Sequence, residues 1–222
     1  MLADASLVAA KDLRIEARSR VATNQVVPFA LLVLILFAFA LDPDRGILSR
    51  ASAGLFWVTV LFSAVLAISR SFAIEADGDA RDALRLSGLD GGGIFLGKAV
   101  AVAVQLVALE AVLAVGVGVL YDVSLHGAAL LALICGLATV GIAASGVVYG
   151  AVAAGLRVRD TLLPLLVLPV LAPVLLAATR ASEAALASTP GDAWPWVRLL
   201  GVFATIYTVF GVVAFGPLLE EA

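Results

Sequence analysis

Residues 24–41 read NQVVPFALLVLILFAFAL, a run that contains no charged side chain. About 20 apolar residues in a helix cross the hydrocarbon core of a bilayer, which is roughly 30 Å thick. The chain of 222 residues is 63% hydrophobic and 14% charged, whereas a soluble domain carries about 25% charged residues. Its apolar runs lack the two-residue alternation of a membrane β-barrel. The sequence therefore predicts an all-α polytopic membrane protein.

Five further apolar runs follow the first, so we predict six transmembrane helices in a single domain that covers residues 1–222. The predicted spans are about 24–41, 51–69, 99–120, 127–156, 161–179 and 196–219. The fourth run is longer than a bilayer requires, so this helix is tilted or extends beyond the lipid. Cys135 lies inside the fourth run and is best explained as a small buried hydrophobic residue.

The positive charges are unequally divided between the two sides of the predicted bundle. Ten of the 14 Lys and Arg residues lie before the first span, between the second and third spans, or after the fourth. The other four lie on the opposite side. Cytoplasmic segments of membrane proteins are enriched in Lys and Arg, so we expect both termini and the segment 70–98 to be cytoplasmic.

This segment, RSFAIEADGDARDALRLSGLDGGGIFLGK, is strongly charged for a connection between two spans. Small or weakly apolar residues recur in it at helical spacing, at Ala76, Ala80, Ala83, Leu84 and Ser87. Asp77 precedes Arg81 by four residues, the favourable order in a helix. The pattern predicts a short amphipathic helix parallel to the membrane, and Gly91–Gly92–Gly93 would let the chain turn sharply before the third span. The segment is either a solvated loop or a docking element for a cytoplasmic partner.

The N-terminal residues, about 5–22, predict a second amphipathic helix. One face carries Ala9, Leu13, Ala17 and Val21, and another carries Lys11, Arg14 and Arg18. Apolar side chains can insert between the headgroups and acyl chains of a bilayer, and cations can bind the anionic headgroups. We therefore expect an interfacial helix, with Lys11, Arg14 and Arg18 at the membrane surface.

Several stretches together resemble the CcmB family, the membrane subunit of the cytochrome c maturation ABC transporter, often called the heme exporter permease. They are KDLRIEARSR at 11–20, Arg70-Ser-Phe72, Glu75, the IFLGK that ends at Lys98, Glu110, and LLPLLVLPVLAPVLLAA at 162–178. The resemblance implies an ABC-2-type permease of the bacterial cytoplasmic membrane, with an N-terminal interfacial helix and a cytoplasmic coupling helix. The implied function is heme export, or release of a heme-loaded chaperone.

The resemblance also implies partners. These are a CcmA-like cytoplasmic ATPase, CcmC-like and CcmD-like heme-handling membrane subunits, a CcmE-like heme chaperone and a second copy of the chain. The candidate residues for coupling to the ATPase are Glu75, Asp77, Arg81, Asp82, Leu84, Arg85 and Leu86. The chain has no phosphate-binding G-x-x-x-x-G-K-[ST] loop, so we expect a non-catalytic permease subunit. We expect it to bind no metal, cofactor or nucleic acid directly, with heme and ATP handled by partner subunits.

Glu110 is the one acidic residue in the middle of a predicted span, where a charged side chain is costly. It either contacts a partner or gates between states, or it makes a structural hydrogen bond within the bundle. Two other functions fit the same topology. The chain could be an ABC-2 permease that exports a lipid, polysaccharide or drug, or a membrane enzyme or proton-coupled carrier that uses Glu110. The last is the weakest, because no second titratable group is at hand for a proton relay.

Three further patterns concern helix packing. Gly146 and Gly150 are spaced for close helix contact, either within the chain or between protomers. The fifth span contains Pro164, Pro169 and Pro173 and is expected to be kinked or locally unwound. The tryptophans are expected near the outer membrane interface or just within it, where indole rings usually anchor helices; they are Trp57, Trp194 and Trp196.

Overall fold

The computed structural model describes residues 1–20, 22–41, 46–76, 88–121, 123, 127–154, 159–187 and 189–221. Within these ranges the chain forms seven α-helices and one short π-helix, and no strand. The α-helices are α1 (Leu2–Ser19), α2 (Val27–Ala40), α3 (Ile47–Ala76), α4 (Gly91–Leu120), α5 (Ala128–Ala154), α6 (Arg159–Leu186) and α7 (Pro190–Glu221). The π-helix, Ala22–Val26, leads directly into α2. The prediction of an all-α fold is confirmed.

Five helices, α3 to α7, are each long and apolar enough to cross a membrane. The sixth candidate is a bent pair, in which α1 and the segment Asn24–Ala40 meet at 53°. Pro28 lies in the first turn of α2, a position where its missing N–H is not needed by the helix. The chain is therefore a multi-pass membrane protein.

Helix α5 lies at the centre of the bundle and contacts α3, α4, α6 and α7. Every residue from 141 to 148 is buried, and small side chains there let the neighbouring helices approach closely. A Cβ atom added at Gly146 would overlap Ile68, and one added at Gly150 would overlap Phe72. Both neighbours belong to α3, so this small-residue row makes a contact within the chain.

Helix α6 is α-helical from Arg159 to Leu186 although three prolines lie inside it. Local unwinding, which the sequence allowed as an alternative to a kink, is therefore wrong. A backbone left without hydrogen bonds is very costly in lipid, and α6 is also held by contacts with α3, α5 and α7. These constraints keep the helix continuous through all three positions.

Trp57 packs inside the helix bundle. Its side chain is only 1% exposed, and its Nε1–H donates a hydrogen bond of 3.0 Å to Ser182 Oγ on α6. Trp194, in contrast, is exposed at the start of α7. The burial of Trp57 reflects its contact with α6 and not its depth in the membrane, so its place near the outer interface stays a prediction.

Helix α2 packs at the edge of the bundle against α3 and α4. Leu34 on α2 is fully buried, and a Cβ atom on Gly116 of α4 would lie 2.9 Å from its Cδ1. The hydroxyl of Tyr121, just beyond α4, donates a hydrogen bond of 3.1 Å to the carbonyl oxygen of Leu34. These contacts attach α2 to the far end of α4.

Candidate functional site

The candidate site is the junction where the C-terminal end of α3 and the N-terminal end of α4 meet α1, α5 and α7. Helix α3 ends at Ala76 and α4 begins at Gly91, so both flank residues 77–87, which lie outside the described residues. Asp90 caps α4, since its Oδ2 accepts a hydrogen bond of 2.8 Å from the Gly93 N–H. Capping of this kind satisfies one of the free N–H groups at the start of a helix.

The three consecutive glycines do not form the turn that the sequence predicted. They belong to the first turn of α4, and the positive φ of +68° is found instead at Gly88. The helix therefore starts eight residues before the predicted third span at Ala99. The Asp90 side chain fixes this early start, because its carboxylate supplies a hydrogen-bond partner for the first turn.

The glycines at the start of α4 allow two other helices to touch its backbone. A Cβ atom on Gly91 would lie 2.6 Å from the Cα of Gly216 on α7. On the other side, a Cβ on Gly97 would lie 2.6 Å from Val8 Cβ on α1. Real Cβ atoms essentially never approach so closely, so only glycine permits this packing of α1 and α7 against α4.

Lys98 lies in the second turn of α4 and is only 1% exposed. Its Nζ lies 3.5 Å from Asp12 Oδ2 on α1 and 5.0 Å from the ring centroid of Phe72 on α3. Lys11 pairs with the other carboxylate oxygen of Asp12, at 2.8 Å. A buried lysine needs such partners, because an isolated charge is costly away from water. Lys98 thus links three helices, whereas the sequence placed it at the end of a charged loop.

Aromatic side chains anchor both helix ends of the junction. Phe72, near the end of α3, packs against Gly150 of α5. Phe95, in the first turns of α4, is fully buried and packs against Gly211 of α7 and against Phe215, with ring centroids 5.6 Å apart. Movement of either helix end would therefore disturb the helix against which it packs.

The sequence is similar to those of known proteins. The model of the family described as CcmB protein matches residues 4–220. The chain belongs to the CcmB family. It is 31% identical to heme exporter protein B of Haemophilus influenzae over 184 residues, which cover 81% of each chain. It is 32% identical to heme exporter protein B of Paracoccus denitrificans over 170 residues, or 75% of this chain and 76% of that one. The Pseudomonas aeruginosa protein of the same name is 27% identical over 214 residues, 94% of each.

The coupling residues that we predicted for this CcmB chain are mostly beyond the described part of the structure. Glu75 lies in the last turn of α3. The other candidates lie outside the described residues: Asp77, Arg81, Asp82, Leu84, Arg85 and Leu86. Their role in binding an ATPase stays a prediction. What the structure adds is the packing of the two helices between which they lie.

The amphipathic N-terminal helix of the CcmB chain is present as α1, but part of its apolar face is covered by protein. Ala5, Val8 and Ala9 are buried, and α1 packs along the first half of α4. Arg14 and Arg18 are exposed, while Lys11 is half-buried and paired with Asp12. The membrane-surface role of the three cations stays a prediction.

Glu110 is buried between α4 and α5. The Thr139 hydroxyl donates a hydrogen bond of 2.7 Å to Glu110 Oε1, and the glutamate side chain is 4% exposed. A structural hydrogen bond within the bundle was one of the two alternatives that the sequence left open, and this bond is present. A further role for the carboxyl group in the CcmB chain stays a prediction.

The contact between Asp12 and Lys98 was not found by sequence reasoning. The two residues are far apart in sequence, and each is an ordinary charged residue in its own segment. The one available signal was the pair Gly97–Lys98 at the start of an apolar run, since a glycine there indicates close approach of another backbone. That signal does not identify α1 as the neighbour.

Proposed function

We propose that this CcmB-family chain is the transmembrane subunit of an ABC transporter complex for heme export in cytochrome c maturation. Support comes from the family match over residues 4–220 and from relatives that are named heme exporter protein B. The chain does not hydrolyse ATP itself, in keeping with the lack of a phosphate-binding loop in its sequence. A separate CcmA-like ATPase supplies the energy from the cytoplasm.

The ATPase acts through residues 70–98. The observation that carries this proposal is the packing of Phe72 against α5 and of Phe95 against α7, at the two helix ends that the segment joins. Packed interiors respond to displacement by moving as units and not by gradual deformation. Movement of the segment by an ATPase would therefore be passed to α5 and α7 as well as to α3 and α4.

The assembly contains two copies of this chain and two ATPase chains. The chain lies in the bacterial cytoplasmic membrane with both termini in the cytoplasm, in keeping with ten of the 14 Lys and Arg residues on that side. CcmC-like and CcmD-like subunits handle heme together with a CcmE-like chaperone. In this assembly the chain transmits motion for the holding or release of heme.

Exchange of the two charges in Asp82→Arg/Arg85→Glu tests the coupling. Juxtaposed like charges at an interface cost several kcal/mol, so we expect recovery of the ATPase with the tagged chain to fall about tenfold or more. The yield of mature cytochrome c should fall with it. Membrane insertion should be unchanged, since no apolar run is altered.

Arg180→Glu/Glu183→Arg is a matched control. It also exchanges a base and an acid three residues apart, and this pair is exposed on α6, with an N–O distance of 3.1 Å. An exposed pair contributes at most about 1 kcal/mol, and the predicted topology places it on the opposite side of the membrane. If the Asp82/Arg85 variant retains the ATPase as well as this control does, the proposed coupling is wrong.

A further inference from the structure

The C-terminal half of α1 presents arginines on its outer side and no fully exposed carboxylate. Arg14 and Arg18 on α1, and Arg20 just beyond its end, are exposed. The acidic residues of the helix are all partly covered by protein; they are Asp4, Asp12 and Glu16. Arg14 and Arg18 are four residues apart and therefore share one face of the helix. The outer side of α1 is cationic as a result.

This cationic side lies at the level of a membrane surface. Glu16 on α1 and Arg70 on α3 line the same cleft, and Arg70 directly follows the predicted second span, 51–69. Helix α1 also departs by 53° from the segment Asn24–Ala40, so it does not continue in the direction of that span. Beyond the end of a span lie the lipid headgroups. The predicted topology makes this the cytoplasmic leaflet, whose surface is negatively charged.

Most of the apolar side of α1 is not available to the bilayer. Ala5, Val8 and Ala9 are buried, and α4 is the helix against which α1 mainly packs. An interfacial helix binds a membrane through its buried apolar area and through attraction to anionic lipids. Because α4 already covers much of the apolar side, the attraction of α1 to lipid is mainly electrostatic. The contact should therefore depend on the fraction of anionic lipid.

The inner side of α1 is fixed to the start of α4. A Cβ atom on Gly93 would lie 2.9 Å from Asp4 Cβ, and Asp12 Oδ2 lies 3.5 Å from the buried Nζ of Lys98. Surfaces packed this closely move as units, because they leave no space for gradual sliding. A lipid contact that holds α1 therefore also holds the helix end that follows residues 77–87.

We propose that Arg14 and Arg18 bind the phosphate groups of anionic lipids in the cytoplasmic leaflet, and that this contact regulates the ATPase-driven step. Bound lipid holds α1, and through α1 the start of α4, at the membrane surface. The regulatory part rests on the proposed function, in which the ATPase acts through residues 70–98. The exposed cations select an anionic surface over a neutral one, since each Lys or Arg near such a surface strengthens binding about fivefold.

The first test identifies the lipid beside α1 in the full chain without any partner. Ala17, which is exposed and lies between the two arginines, is replaced by benzoylphenylalanine, a photo-crosslinking residue. The chain is placed in nanodiscs of equal parts phosphatidylglycerol and phosphatidylcholine, and the crosslinked lipids are counted by mass spectrometry. We expect phosphatidylglycerol to predominate, and Arg14→Gln/Arg18→Gln should lower its ratio to phosphatidylcholine about fivefold or more.

Two further variants complete this test. Arg14→Lys/Arg18→Lys keeps both charges and should keep most of the preference for phosphatidylglycerol. Arg50→Gln/Arg180→Gln is the matched control, because it also removes two exposed arginines, and the predicted topology places these on the opposite side of the membrane. The lipid contact is overturned if the wild-type chain shows no preference, or if the control lowers the ratio as much as Arg14→Gln/Arg18→Gln does.

The second test measures ATP hydrolysis by the chain assembled with its ATPase. Hydrolysis should be faster in nanodiscs that contain phosphatidylglycerol than in phosphatidylcholine alone, and Arg14→Gln/Arg18→Gln should remove this difference. A rate that is independent of phosphatidylglycerol would overturn the regulatory part. A crosslink from residue 17 to a protein in place of lipid would show that an acidic protein surface covers the arginines, and would overturn the lipid contact. If no ATPase assembles with the chain, the proposed function fails, whereas the lipid ratio of the isolated chain still decides the lipid contact.

Discussion

Replacement of Asp12 by asparagine removes the carboxylate that faces the buried ammonium group of Lys98. Asp12 Oδ2 and Lys98 Nζ are 3.5 Å apart, and the two side chains are 11% and 1% exposed. At this separation and an effective dielectric constant of about 20, the Coulomb attraction is roughly 4–5 kcal/mol. Removal of one member of a fully buried pair costs about 3–5 kcal/mol.

The expected loss for Asp12→Asn is somewhat smaller, about 2–3 kcal/mol in the free energy of unfolding. Asp12 retains some contact with solvent, and the Lys98 ammonium keeps its position over the Phe72 ring. Lys11→Met is the control, because Lys11 pairs with the same carboxylate at 2.8 Å but is 39% exposed. Exposed pairs contribute at most about 1 kcal/mol, so this variant should lose less than that.

The measurement is reversible unfolding in mixed micelles, followed by tryptophan fluorescence. The single variants Asp12→Leu and Lys98→Met and the double variant Asp12→Leu/Lys98→Met complete a double-mutant cycle. Replacement of both partners by apolar groups removes the uncompensated charge, so the double variant should be more stable than either of these single variants. The coupling energy should exceed about 1 kcal/mol. A loss for Asp12→Asn no larger than that for Lys11→Met, or strictly additive losses, would refute the reasoning.

Three further predictions use the same unfolding measurement. Glu110→Gln keeps an acceptor for the threonine hydroxyl and should change the free energy of unfolding by less than about 1 kcal/mol, whereas Glu110→Leu should cost about 1–3 kcal/mol. A drop in cytochrome c yield for the correctly folded glutamine variant would assign a function to the ionisable proton. Gly150→Leu forces Phe72 out of its site and should cost about 1–3 kcal/mol or more, while Gly136→Leu on the same helix meets open space and should be nearly neutral. Trp57→Phe leaves a buried serine hydroxyl unpaired and should cost about 1–2 kcal/mol; an unchanged midpoint would contradict the importance of that hydrogen bond.

The fold class was predictable because the bilayer leaves few alternatives. Apolar runs of this length have to be helices in lipid, and their number and order follow directly from the sequence. The helix bounds were less predictable. Helix α4 extends back to Gly91, well before the apolar run at Ala99, because Asp90 caps it and two neighbouring helices pack on its glycines. Hydropathy alone indicates which residues lie in lipid, and it does not show that a helix continues beyond the apolar run.

The junction itself could not be predicted, because it depends on which helices are neighbours. Gly150 was correctly expected to permit close approach, yet only the structure shows that its neighbour is Phe72. Lys98 was counted among the charges of a loop, since a lysine five residues after three glycines gives no sign that Asp12 covers it. Side-chain partners across helices are set by tertiary packing, and a single sequence carries no record of them.

The glycine contacts at the start of α4 also restrict how the protein can evolve. Any amino acid that replaces Gly97 adds a Cβ atom, and that atom would meet Val8 on another helix. A smaller residue at position 8 would not make room for this atom, because the atom would also lie 2.7 Å from the backbone carbonyl oxygen of Ala5 on α1. Among distant species position 97 should therefore remain glycine, whereas bilayer-facing residues such as Val104 are free to exchange with other apolar residues.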